Sequence, residues 1–146
     1  MLNPILRGVI ALTLATFPRA LPAHAQAMTD KAPAPAPVAG TWRNPSGSVH
    51  IAIRPCGPKL CATVVAASDT AKADAARGGT RDLIGTRLFD GLTPAGPNRW
   101  TGRVYVPDLD RSFNGEVVLV NRTAVGVKGC VGRNQLCMDP RWTRVS

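Results

Sequence analysis

Apolar and polar residues alternate with a period of two along most of the chain beyond residue 40. Val49, Ile51 and Ile53 alternate with His50, Ala52 and Arg54, the pattern of a strand with one buried face. Residues 55–59 contain Gly57-Pro58 and read as a turn. Leu60, Ala62 and Val64 then alternate with Cys61, Thr63 and Val65 on a return strand. The same reading gives strands over 83–92, 99–106, 112–120, 123–131 and 136–145, with a short opening strand over 40–43. Turns are expected at 93–98, 107–110 and 121–122. Segment 68–80 breaks the pattern. It is rich in Ala, Asp, Lys and Gly, ends near Gly78-Gly79, and fits either a surface loop or a short helical turn over 70–77.

About eight strands joined by short turns predict antiparallel neighbours. An open sheet of that size exposes two edges, and closure removes them. The expected fold is all-β: a small antiparallel meander barrel of about eight strands. Such a barrel has an interior just wide enough for side chains or one small ligand.

The first residues read differently. Arg7 precedes an apolar run over 8–17, Pro18 breaks it, and Ala23-His24-Ala25 places small residues where a signal peptidase cuts. Residues 1–25 are expected to be a cleaved secretory signal peptide. The apolar run is about half the ~20 residues a membrane-spanning helix needs. No later stretch is long and apolar enough to span a membrane. Residues 26–39, with Ala-Pro repeated over 32–37, are expected to be an extended or unstructured spacer. Residues 40–146 form one domain by length.

Export changes the reading of the four cysteines. Paired structural cysteines belong to oxidising compartments, and four cysteines allow three pairings. Cys56 with Cys61, and Cys130 with Cys137, each bracket a turn-like segment, the second including 132–134. These two pairs are the expected disulfides. Two such short-loop bridges contribute roughly 2 to 3 kcal/mol each in the chain-entropy model. Zinc is the competing use, but structural zinc ligands favour gaps of about two to four residues, and the second pair is spaced more widely. No metal and no cofactor are expected.

The chain carries a net charge of +9. Loss of Arg7 and Arg19 with the leader leaves 16 basic against 9 acidic residues, a net +7. For an exported protein that favours anionic envelope surfaces or an anionic small ligand, and nucleic acid is not an expected partner. The basic residues are dispersed, which also fits a solvated surface. The expected location is the periplasm, and the expected state is monomeric.

Several segments in order carry a likeness. They are Gly40-Thr41-Trp42, Arg54-Pro55-Cys56-Gly57, Leu60-Cys61, Leu83-Ile84-Gly85, Trp100 to Pro107, Val127 to Cys130, and Trp142-Thr143-Arg144. Together they resemble the DUF2147 family of exported bacterial proteins over essentially all of 40–146. The resemblance implies a lipocalin-like small barrel, a Gram-negative envelope location and no established activity. The strand after Cys61 and the turn after Pro107 depart from the usual pattern. The Gly-x-Trp opening is also similar to that of lipocalins, which implies that Arg144 covers Trp42 at one barrel end.

Little in the sequence points to catalysis. After cleavage His50 is the one remaining histidine, and a serine or cysteine nucleophile needs a base within reach. Asp108, Asp110 and Glu116 suggest a carboxylate pair or calcium, but a turn between strands explains them. Arg103 and Tyr105 share one face of their strand, opposite Val104 and Val106. Periodicity leaves open which face is inward. Trp42, Arg103, Tyr105 and Arg144 make up the candidate ligand-binding set. The expected function is a non-catalytic binding or structural module for a small apolar or anionic ligand or an envelope partner. The alternative is a small periplasmic enzyme using carboxylates or Tyr105.

Overall fold

The computed structural model describes residues 36–131 and 136–146. The expected leader, most of the spacer and the turn at 132–134 lie outside the described residues. Among the described residues there are nine strand segments: β1 (Gly40–Arg43), β2 (Val49–Cys56), β3 (Lys59–Ala67), β4 (Arg87–Gly96), β5 (Arg99–Val106), β6 (Arg111–Asn121), β7 (Ala124–Val131), β8 (Leu136–Met138) and β9 (Arg141–Arg144). One helix, α1 (Asp69–Gly78), follows β3, and a 3-10 turn, Pro107–Leu109, joins β5 to β6.

Each strand from β1 to β7 pairs antiparallel with the next. β9 pairs with both β7 and β1, which closes a ring. The ring has eight positions because β8 and β9 share one edge of β7. Leu136–Met138 lie opposite 129–131, and Arg141, Trp142 and Thr143 lie opposite Gly126, Val125 and Ala124. The single last strand expected over 136–145 is thus broken at Asp139-Pro140. Pro140 has no backbone donor for a ladder, though its carbonyl accepts from Val127 N at 3.2 Å.

Three other expectations shift. Residues 83–86 form a turn rather than the start of a strand: Gly85 N donates to Val64 O and Val64 N donates to Thr86 O. β4 runs on to Gly96 through most of the expected turn, and only Pro97-Asn98 reverses the chain, with Asn98 at φ 56°. Segment 68–80 is a true helix. The Ser68 hydroxyl accepts from Ala71 N, and Gly79 ends the helix at φ 120°, a conformation that glycine adopts without strain.

The two ends of the barrel differ. One end is closed by residues that composition assigns to the spacer. Residues 36–39 turn across it, and Val38 is 0% exposed. Trp42 beneath is fully buried and donates its indole N–H to the Val38 carbonyl at 2.9 Å. A buried indole needs such an acceptor, so the domain begins before Gly40. Ile53, Leu60, Phe89, Leu92 and Val117 fill the interior above it.

The opposite end is roofed by α1 and the 3-10 turn. The chain passes so closely here that a Cβ on Gly78 would fall 2.1 Å from the Asp108 carbonyl oxygen. Both expected disulfides are present: Cys56–Cys61 clips the β2–β3 hairpin, and Cys130–Cys137 joins directly opposed residues of β7 and β8.

Candidate ligand-binding cavity

Beneath the roof the barrel is not filled. On β5 the side chains of Trp100 and Val104 pack toward the core, so Arg103 and Tyr105 face outward. Val117 and Val125, on β6 and β7, are 0% exposed. Val104, Val106, Phe113 and Val127 are only half-buried. They line a cavity of about 250 Å³ whose rim includes Leu109 and Met138, which are 54% and 63% exposed.

A row of glycines shapes this space. Gly102, Gly115 and Gly129 are register partners across β5, β6 and β7. A Cβ on Gly102 would lie 2.8 Å from Leu92 Cδ2, and one on Gly115 would lie 2.6 Å from Val104 Cγ2. These two glycines let neighbouring side chains close in. At Gly129 nothing stands within 4 Å of the corresponding position, and Gly129 lines the cavity. The missing side chain there leaves open space.

A second cavity of about 420 Å³ lies under α1, bordered by Asn44, Ser46, Ser48, Thr70, Asp74 and Asp108. Its apolar floor includes Leu88, Val106, Pro107 and Trp142, all of which also line the first cavity. The two spaces therefore adjoin across these side chains. The indole N–H of Trp142 is buried and has no hydrogen-bond partner among the described residues. An unpaired buried donor costs about 1–3 kcal/mol, which an acceptor on a bound molecule would offset.

The family model described as "Uncharacterized protein conserved in bacteria (DUF2147)" matches residues 40–144. The chain belongs to the DUF2147 family. Its structure is similar to that of protein HP1028 from the human pathogen Helicobacter pylori, which is described as belonging to the lipocalin family. The TM-score is 0.56 at 12% identity, covering 74% of this chain and 82% of that one. At that identity the likeness shows a shared lipocalin-like fold. Among curated proteins none matches the chain.

In this DUF2147 protein the four candidate residues do not gather. Trp42 and Arg144 lie at the closed end, away from both cavities. Arg144 stacks on the Trp42 ring at 4.1 Å from its centroid and donates to the carbonyls of Pro37, Ala39 and Arg122 at 2.7, 2.8 and 2.6 Å. Every part of that guanidinium is used in structure, and the buried indole is closed to a ligand. Arg103 is exposed and donates to the Ser112 carbonyl at 2.8 Å. Tyr105 borders the cavity, but its hydroxyl donates to Asp110 Oδ1 at 2.8 Å and lies 2.7 Å from Thr80 Oγ1. Thr80 in turn donates to the Pro107 carbonyl at 2.9 Å. Tyr105 thus ties the end of α1 to the 3-10 turn and holds the roof.

The suggested carboxylates do not converge either. Glu116 pairs with Arg99 at 3.0 Å, and Asp110 is held by Tyr105. His50 lies opposite Arg43 and Ala66, without a catalytic neighbour. Among the described residues no group of three or more His, Cys, Asp or Glu is placed to hold a metal, and no helix is long and apolar enough to cross a membrane. The residues that do line the interior, Phe113, Gly129 and Trp142 among them, were absent from the candidate set. The sequence signal for Phe113 and Gly129 was alternation in step with Val117, Val125 and Val127, and Trp142 stood in the Trp142-Thr143-Arg144 segment.

Proposed function

We propose that this protein is an exported, non-catalytic binding module of the cell envelope that holds one small, largely apolar molecule in the roofed end of its barrel. The observation that carries this reading is a space of about 250 Å³ inside the barrel whose lining is largely apolar, with Ile51, Phe89, Val104, Phe113, Val127 and Trp142 among it. Accessible apolar surface costs roughly 25 cal/mol per Å², so a ligand that covers it gains binding energy from the barrel's own side chains. An apolar cavity of ~150 Å³ admits benzene, and the volume of about 250 Å³ here suits a single ring with substituents or a short alkyl chain. Eight-stranded barrels offer an interior of this scale.

Two disulfides support an oxidising, extracytoplasmic compartment, and the signal-peptide pattern of residues 1–25 supports export to the periplasm. A non-catalytic role is supported by the engagement of the Tyr105 hydroxyl with Asp110 and of Glu116 with Arg99.

The test is fluorescence of an apolar, environment-sensitive dye titrated into the oxidised protein, compared with Gly129→Leu. The wild type is expected to enhance the dye, and the variant, with its cavity filled, to lose the effect while keeping its circular dichroism. Equal enhancement by both proteins, or none by the wild type, rejects the reading.

A further inference from the structure

The second cavity bears on the polar end of the ligand, and here the chain's overall charge and its local lining point in opposite directions. The net charge of the chain without its leader, +7, favours anions at a distance. Screening limits that field to about 8 Å at physiological salt, so inside a cleft the nearest groups decide. Among the described residues no lysine or arginine lines the second cavity. What lines its polar side are three hydroxyls, from Ser46, Ser48 and Thr70, the Asn44 amide, and the carboxylates of Asp74 and Asp108. Asp74 already pairs with Arg77 on the surface of α1. Asp108 is exposed and has no ion-pair partner among the described residues. The set is rich in acceptors, and an anion placed there meets a carboxylate with no cation to balance it.

From this lining, and resting on the binding reading above, we infer that the ligand is an amphiphile with a cationic amine head. Its apolar part occupies the first cavity and its ammonium group lies among Ser46, Ser48, Thr70 and Asp108. The two spaces meet at Trp142. Its indole N–H has no partner among the described residues, so a shift of that ring to admit a chain between the compartments breaks no hydrogen bond with them. An ammonium group offers three donors and no acceptor, which matches a cluster of hydroxyl and carboxylate oxygens. A carboxylate head offers only acceptors, and it would have to rely on hydroxyl donors while facing Asp108.

The experiment uses three probes of one chain length, octylamine, 1-octanol and octanoate, titrated calorimetrically into the full oxidised protein at pH 7. Octylamine is expected to bind about two- to fivefold more tightly than octanol, as a partly exposed ion pair allows, and octanoate more weakly than either. Asp108→Asn is expected to bring octylamine down to the octanol affinity and leave octanol unchanged. Octanoate binding as tightly as octylamine, or an amine preference that survives Asp108→Asn and the double variant with Asp74→Asn, overturns the head-group assignment while the binding reading stands. If none of the three binds and the apolar dye is also excluded, both fall.

Discussion

Arg144 lies over Trp42, with its guanidinium carbon 4.1 Å from the centre of the indole, and the two are register partners on β9 and β1. The contact sits at the seam where the last strand meets the first. It therefore acts as the clasp of the barrel. An Arg–Trp stack contributes about 0.5–2 kcal/mol, and the three carbonyls that Arg144 also serves bring residues 36–39 and 122 into the same clasp.

Arg144→Ala is expected to destabilise the fold by about 2–4 kcal/mol, from the lost stack and from charge-assisted hydrogen bonds worth about 1.5–3 kcal/mol each before relaxation. Arg144→Lys should recover less than half of this, because an ammonium cannot fork to several carbonyls. Urea midpoints at constant m-value measure both.

The glycine row predicts a contrast in stability. Gly102→Ala and Gly115→Ala place a methyl group within 3 Å of Leu92 and Val104 and are expected to cost roughly 1–3 kcal/mol. Gly129→Ala enters open space and is expected to be neutral or to stabilise by up to about 1 kcal/mol through reduced chain entropy. Thermal unfolding of the three variants in the absence of ligand gives the comparison.

Tyr105→Phe removes the hydroxyl that joins Asp110 and Thr80. A loss of about 1–2 kcal/mol is expected, concentrated at the roof. Hydrogen exchange should quicken in the last turn of α1 and spare β2 and β3. Uniform acceleration across the barrel would contradict a local role.

The two disulfides should be chemically distinct from free thiols. Alkylation followed by mass spectrometry is expected to label no cysteine in native protein and all four after reduction. The Cys56→Ser/Cys61→Ser variant is expected to lose roughly 2–3 kcal/mol. A metal ion retained at these positions under non-reducing conditions would overturn the assignment.

The local parts of the fold were legible in the chain. Strict alternation in 49–54 and 60–65, with Gly57-Pro58 between them, marks a hairpin because each side chain's neighbour is only a few residues away. The same holds for the paired cysteines, whose short loops leave little choice of partner. The eight-position ring followed from strand count and the instability of open edges. The Trp42–Arg144 contact, 102 residues apart in number, was accessible only through family likeness.

What tertiary structure alone decided was which face points in and how far the core reaches. Alternation on β5 says that Arg103 and Tyr105 share a face. It does not say that Val104 is the inward one, since that depends on the strands beside it. Residues 36–39 have the composition of a spacer, yet a buried indole N–H requires an acceptor, and Val38 supplies it. Pro140 splits the last strand because β7 needs donors along its edge that proline lacks. The cavity itself is a property of closure: its walls come from β2 and from β4 to β9, and no single strand records that the space between them is left open.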